Sequence, residues 1–178
     1  MQIDKAKEIK QLGLRQGAIK ILINSVYGAF GNQYFYFFNI DIAQSITLQG
    51  QDMIKFANKA INFYFKERWH LDTKLHKELG IDSYKINKVN DDSAIYTDTD
   101  SSYIQFDSAI NSIEHNFTHE EAIRLCIMLD DYRLGGYFEE CFTKYGKVFN
   151  TENQQTFKLE AIFDKGFWIK KKNYALRT

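Results

Sequence analysis

Asp98 and Asp100 stand two residues apart in the run Tyr96-Thr97-Asp98-Thr99-Asp100-Ser101. In extended backbone a spacing of two sends both carboxylates to the same side. A tight turn would carry them to a sheet edge, where a hydrated ion can reach them. Magnesium takes hard oxygen ligands and keeps water and phosphate in its other positions. Two-metal phosphoryl transfer holds the ions about 3.5–4 Å apart, so at least one carboxylate must bridge them. An Asp-rich turn held by its own Asx hydrogen bonds has the same composition.

A second group lies near the start of the chain. Lys20, Asn24, Tyr27 and Gly28 fall at i, i+4, i+7 and i+8, one face of a helix, and Gln16 extends the stripe by a turn. An ammonium, an amide, a phenol and then no side chain suit a nucleotide: charge for phosphates, a flat polar ring near sugar or base, and glycine for close approach. A solvated helix face of mixed polarity is the plainer account. A third group is the basic run Lys170-Lys171-Lys172-Asn173-Tyr174. On a strand, Lys172 and Tyr174 would point the same way, fit to neutralise a backbone phosphate and contact a sugar. Exposed basic edge strands are also common.

The elements that must position these groups can be read from periodicity. Residues 1–30 form one helical pattern, with Ile9, Leu12, Gln16, Ile19, Ile23 and Val26 near helical spacing and an exit at Gly28 and Gly31. The aromatic run Asn32–Asn39 reads as a strand. A second long helix follows, N-capped by Asp41, with Ile42, Ile46, Met53, Phe56, Ala60 and Tyr64 on one stripe, fading near Trp69. Ser93–Thr97 and Ser101–Phe106 flank the polar turn as a hairpin. Thr118 and Glu121 make a capping box for a helix carrying Ile123, Cys126, Leu129 and Leu134. Gly135-Gly136 kinks or breaks it, and the helical pattern resumes to about Lys147. Strands over Gln155–Phe163 and Gly166–Leu176 end the chain. Helices mixed with antiparallel strands give an α+β fold class.

Composition sets the outer limits. The chain has 178 residues with 44% hydrophobic and 16% aromatic content, enough for a true core. Formal net charge is zero, but its distribution is uneven. Asp82, Asp91, Asp92, Asp98, Asp100 and Asp107 make the centre acidic, whereas Lys165, Lys170, Lys171, Lys172 and Arg177 make the end basic. An acidic centre beside a basic flank suits metal-dependent phosphate chemistry, and it also describes ordinary solvated faces. Cys126 and Cys141 form no CxxC pair and read as core thiols of a reducing compartment. No signal peptide or bilayer-length apolar run is visible, which favours a cytoplasmic protein without a membrane partner.

Taken together and in this order, the three groups resemble the family B DNA polymerases. Lys20, Asn24, Ser25, Tyr27 and Gly28 meet the family's fingers-helix motif Lys-x-x-x-Asn-Ser-x-Tyr-Gly. Tyr96, Asp98, Thr99, Asp100 and Ser101 meet the palm motif Tyr-x-Asp-Thr-Asp-Ser, and Lys172 with Tyr174 meets the later Lys-x-Tyr motif. At residue frequencies of roughly 5%, five fixed positions recur by chance about once in several million windows. The fuller strings KILINSVYGAFGN and GFWIKKKNYAL resemble the T-even phage branch in particular.

The resemblance implies a polymerase palm, an antiparallel sheet with packed helices, plus a long fingers helix. Residues 1–31 would be the end of the fingers and residues 32–178 an incomplete palm. It also implies roles. Lys20 would hold the incoming triphosphate, Asn24, Gly28 and Thr99 would support the nucleotide site, and Tyr27 would lie against the nascent base pair. Asp100 would bridge the metals with Asp98 close by. Lys171, Lys172 and Tyr174 would grip primer–template DNA, and Glu160 stands where the family often has a palm carboxylate. The cofactor implied is a pair of Mg2+ ions. The partners are primer–template DNA, deoxynucleoside triphosphates and the rest of the polymerase, whether in the same chain or a split partner, within the host cytoplasm if the source is viral. The family's other catalytic motif, Asp-x-x-Ser-Leu-Tyr-Pro-Ser, cannot lie here, since the chain has no proline. The exonuclease and thumb are also expected to be missing. The rival readings are an inactive or split-chain fragment that only binds DNA or its missing half, and an RNA-binding sheet, which would need stacking aromatics on adjacent central strands.

Overall fold

The computed structural model describes residues 2–177, with side chains from residue 5 onward. It is an α+β chain of six α-helices and two antiparallel hairpins among the described residues. It separates into two compact units, residues 1–51 and 52–178.

The first unit is helical. Helix α1 runs Gln2–Phe30, as its periodicity predicts, and α2 runs Ile40–Phe63, beginning in this unit and ending in the next. Ile9, Leu12, Ile19, Ile23 and Val26 of α1 are exposed, while Ala29 and Phe30 at its end are half-buried. Between the helices, residues 32–39 are a set of turns and not the expected strand. Asn32 Oδ1 takes the Tyr34 amide at 3.0 Å, Phe35 and Phe38 close tight turns, and the Asn39 amide returns to Phe30 O at 3.0 Å. A strand needs a ladder partner; here asparagine side chains and local carbonyls supply the bonds instead. Asn39 also replaces Asp41 as the cap of α2, since its Oδ1 accepts from the Ile42 amide at 3.1 Å, and Asp41 sits in the first turn.

The second unit holds the core. Beyond Phe63 the helix continues as a π-helical turn, Tyr64–Arg68, and a 3-10 turn, Trp69–Leu71, which matches the fading pattern. Tyr64, Phe65 and Trp69 are fully buried against Leu134, Tyr137, Phe138 and Phe142. Helix α3 is Thr73–Glu78, α4 is Asp107–Asn111, α5 is His119–Leu129 and α6 is Gly135–Val148. The capping box of α5 forms: Glu121 Oε2 accepts from the Thr118 amide at 2.8 Å, and Thr118 Oγ1 accepts from the Glu121 amide at 3.3 Å. The Thr118 amide and hydroxyl, both donating to Oε2, hold the Glu121 carboxyl below its usual range.

Gly135-Gly136 does not break the helix. A π-helical turn, Asp130–Leu134, joins α5 directly to α6. Within that turn Arg133 pairs with Asp72 Oδ2 (2.6 Å), which also accepts from the Tyr64 hydroxyl at 3.1 Å. Burial and the adjacent Asp72 push the Tyr64 phenol well above its ordinary range. Two more of the buried rings have their polar ends matched: Trp69 Nε1 donates to Ser112 Oγ at 2.9 Å and Tyr137 OH to Ala60 O at 3.0 Å. Such pairing is what makes burial of these large rings favourable. Cys126 is buried and free, as expected of a core thiol, and burial pushes its thiol up to about 11.

The two hairpins are β1 (Ala94–Asp98) with β2 (Ser101–Ile104), and β3 (Lys165–Lys170) with β4 (Asn173–Arg177). The first matches the expected hairpin. The second replaces the expected single strand over 166–176: Lys171 and Lys172 form its turn, and Lys172 lies at φ 60° in the left-handed region. Lys172 and Tyr174 therefore do not share one strand face. The expected strand over 155–163 has no ladder partner among the described residues; Phe157 instead packs on Phe138 and Phe142, with ring centres 5.1 and 5.6 Å away.

Candidate active site

The carboxylate pair sits at the tip of β1–β2. Asp98 pairs with Ser101, leaving Thr99 and Asp100 as the turn. Thr99 takes φ 57°, a conformation that costs a non-glycine residue on the order of 1 kcal/mol. The turn holds itself with short local bonds. The Asp100 amide reaches Asp98 O at 2.7 Å, Ser101 Oγ donates to the same carbonyl at 3.1 Å, and the Thr99 hydroxyl donates to Asp98 Oδ1 at 3.2 Å. None of these bonds uses the Asp100 carboxylate, and Asp100 is exposed. The run is therefore closed by the Asp98 main-chain carbonyl and not by an Asx bond, since the Asp98 carboxylate accepts from the Thr99 hydroxyl and not from the Asp100 amide. The Asp100 carboxylate is left open to a ligand.

A β-bulge at Ile95 sets which side chains face which way. The register runs Ala94 with Ile104, then Tyr96 with Tyr103, so Ile95 is the extra residue. It shifts the alternation of β1 by one. Ala94 packs on the core, and Thr97 meets Asn58 of α2 on the same side. Tyr96 and Asp98 are thereby turned to the other face, toward β3–β4.

On that other face Tyr96, Tyr103, Trp168 and Tyr174 cluster, with ring centres 5.4–6.4 Å apart. Each such ring pair adds roughly 0.5–1.5 kcal/mol beyond its area burial. Tyr103 OH donates to Tyr174 OH at 2.8 Å, and that bond pushes the Tyr103 phenol up to about 12. Gly166 makes room for the cluster: a Cβ there would sit 2.2 Å from Trp168 Cη2.

The cluster fixes the basic turn beside the acidic one. The Lys172 amide donates to Tyr96 OH at 2.9 Å, and Lys172 Nζ lies 3.7 Å from Asp98 Oδ1. The Asp98 side chain is 20% exposed and the Lys172 side chain 64%. An ion pair this open contributes less than about 1 kcal/mol, so it steers charge more than it stabilises. Lys171 is exposed on the same turn. Glu160 is exposed in the irregular segment before β3.

The helical group lies in the other unit. Lys20, Asn24, Tyr27 and Gly28 are all on α1 and all exposed. Tyr27 OH is 2.7 Å from Thr47 Oγ1, and a Cβ placed on Gly28 would meet nothing within 4 Å, so the face beside it is open.

Sequence reasoning did not single out Asn58 and Asn62 on α2. Asn58 Nδ2 donates to Thr97 Oγ1 at 2.7 Å and its Oδ1 accepts from Ser102 Oγ at 2.6 Å. Asn62 Oδ1 accepts from the Ser93 and Ala94 amides at 2.8 and 2.9 Å. The signal was there: two amides at i, i+4 beside the apolar stripe of a helix. Tyr103 and Trp168 carried none, since their meeting depends on two hairpins far apart in sequence.

The donor chemistry fits part of a magnesium site. Two carboxylates on one turn offer hard oxygens to an ion, yet no group of three or more Asp, Glu, His or Cys side chains among the described residues is close enough to enclose one. Further ligands would have to come from water, substrate or other polypeptide. Among the described residues no helix is long and apolar enough to cross a membrane.

Comparison with known proteins gives a consistent picture. A DNA-directed DNA polymerase of Escherichia phage RB69 is 28% identical over an alignment of 172 positions that covers 89% of this chain and 17% of that protein. A DNA-directed DNA polymerase of Enterobacteria phage T4 is 34% identical over 95 residues, 53% of this chain and 9% of the relative. The chain thus spans less than a fifth of the length of either. No solved structure matches it significantly. The family profile described as DNA polymerase family B matches residues 1–126, and with the phage-like motifs in place the chain belongs to that family.

Proposed function

We propose that the chain is a working part of a DNA-directed DNA polymerase: α1 faces the incoming nucleotide, and the β1–β2 tip carries part of the catalytic metal site. In this reading residues 1–31 end the fingers and residues 32–178 form much of the palm. The observation that carries it is the Asp98–Asp100 turn with Lys172 set beside it, an acidic and a basic hairpin tip joined through Tyr96.

The reaction is attack of a primer 3′-hydroxyl on the α-phosphate of a deoxynucleoside triphosphate, with pyrophosphate leaving. Asp100, exposed and with its carboxylate outside the turn's own bonds, would be the principal protein ligand for Mg2+, with Asp98 close by. Two bound Mg2+ ions would supply activation of the attacking oxygen and stabilisation of the leaving one. Lys20 neutralises the triphosphate, and Asn24 supports that site. Tyr27 lies against the nascent pair, and the open face at Gly28 allows the nucleotide close. Thr99 supports the site by holding Asp98 through its hydroxyl. Lys171 and Lys172 neutralise primer–template phosphates. Tyr174, bonded to Tyr103, anchors the hairpin that presents them, and its phenol edge is the group that would meet a sugar. Much of what such residues provide is placement, since little covalent chemistry falls to the protein.

The test is Asp100→Ala in the full-length polymerase that contains this chain. Primer extension in magnesium should be abolished while primer–template affinity is retained. Near-normal extension by this variant would end the reading.

A further inference from the structure

We infer that Asn58 is a positioning residue for the carboxylate turn: its amide clamps both strands of the β1–β2 hairpin to α2 and so fixes where Asp98 and Asp100 stand. The inference rests on the polymerase reading of that turn.

Thr97 and Ser102 are cross-strand partners, forming the rung next to the Asp98–Ser101 rung that closes the turn. The Asn58 side chain touches both, donating to Thr97 Oγ1 at 2.7 Å and accepting from Ser102 Oγ at 2.6 Å. One rigid amide therefore spans the hairpin one residue before its first carboxylate. Asn62, a turn further along the helix, receives the Ser93 and Ala94 amides at the root of β1. Four residues of helix separate the two amides by about 6 Å along its axis. Root and tip are held at separate points, which fixes the direction of the hairpin as well as its place.

The bulge at Ile95 belongs to the same device. Without the extra residue, strand alternation would put Thr97 on the face opposite Ala94, away from α2. With it, Ala94 reaches the core, Thr97 reaches Asn58, and Asp98 is presented on the Lys172 side.

Polar satisfaction alone does not account for Asn58. Thr97 and Ser102 face each other across the ladder and could bond to one another or to water if the amide were removed. What only Asn58 supplies is a fixed distance from the helix to the hairpin tip. Its loss should leave the fold nearly as stable and move the carboxylates.

The experiment uses the full-length polymerase with Asn58→Ala, Asn58→Asp, Thr97→Val and Asp100→Ala. Melting temperature, primer–template affinity, kcat, nucleotide KM and Mn2+ binding by electron paramagnetic resonance are read in parallel. Asn58→Ala should lower kcat on the order of 100-fold, the scale of a misplacement near 1 Å. It should also weaken Mn2+ binding several-fold, with melting temperature, KM and DNA affinity little changed. In Asn58→Asp both hydroxyls can donate to the carboxylate, so the clamp re-forms and most of the kcat loss is recovered. Thr97→Val, which keeps the side-chain shape and removes one bond, should fall between. Wild-type kcat and Mn2+ affinity in folded Asn58→Ala, beside an inactive Asp100→Ala, would overturn the clamp and leave the polymerase reading intact. A fully active Asp100→Ala would instead sink that reading. Should Asn58→Ala not fold, wild-type kcat and Mn2+ affinity in Thr97→Val would overturn the clamp.

Discussion

The backbone amide of Lys172 donates to the phenol oxygen of Tyr96 at 2.9 Å, tying the tip of the basic hairpin to the shaft of the acidic one. Tyr96 lies two residues before Asp98, so one ring links the acidic turn to the basic turn. Tyr96→Phe keeps the ring in its cluster and removes only the acceptor. Lys172 is exposed, so its freed amide can turn to water and stability should fall by no more than about 1 kcal/mol. The basic tip should loosen. In the full-length polymerase we expect primer–template affinity to drop several-fold, with melting temperature barely moved, as measured by fluorescence anisotropy and thermal melting. An unchanged affinity and salt slope would separate this tie from any DNA grip.

Lys20 and Tyr27 share a face of α1 but should fail in different ways. Lys20→Ala removes a phosphate-neutralising charge, so nucleotide KM should rise at least about tenfold, with primer–template affinity little changed. Collapse of DNA affinity at constant KM would reassign the lysine. Tyr27→Ala removes an exposed ring, so melting temperature should hold while misincorporation rises. A large fall in melting temperature with an unchanged error rate would make Tyr27 a packing residue.

His76 gives the second unit a pH dependence of known sign. The imidazole is buried beside Trp69 with Nε2 at 2.8 Å from Trp69 O, and burial lowers its pKa below the ordinary value of about 6.5. The unfolded chain therefore binds the proton more readily than the folded one. The stability this group contributes is present above pH ~6.5 and is lost as pH falls through the lower folded value. Chemical denaturation at pH 7 and pH 5 should show a loss on acidification that His76→Gln, whose amide can still donate to Trp69 O, largely removes. Equal pH slopes in both proteins would contradict this.

The chain by itself should not extend a primer. Asp98 and Asp100 approach from one turn, and no third carboxylate, histidine or cysteine joins them among the described residues. Two ions held from one side would have no fixed separation, and positioning is most of what phosphoryl transfer asks of the protein. Lys171 and Lys172 alone should bind DNA weakly and with a steep salt dependence. The purified chain is mixed with primer–template, nucleotides and magnesium, then again with the upstream portion of a related phage polymerase added. No extension in the first mixture and extension in the second is the expected pair. Robust synthesis by the chain alone would refute the ligand count.

The long helices and the α5 capping box were legible in the sequence because they are local. Their hydrogen bonds join residues three or four apart, and the apolar stripe of α2 repeats at the same period. The Thr97–Ser101 turn was legible for the same reason, and so was the family, since its motifs are short runs. What the sequence could not settle were elements that depend on a distant partner. Asn32–Asn39 has the aromatic content of a strand, yet it satisfies its backbone with Asn32, Asn39 and local turns. Residues 155–163 likewise lack a ladder and are held by Phe157. Lys172 reads as a strand residue until its turn is closed, because a left-handed φ at lysine is imposed by the hairpin and not favoured by the residue. The tertiary structure alone decided that Tyr96 carries Lys172 to Asp98 and that Asn58 spans Thr97 and Ser102. Those contacts join residues 39 to 76 positions apart, and no local pattern encodes a distance of that kind.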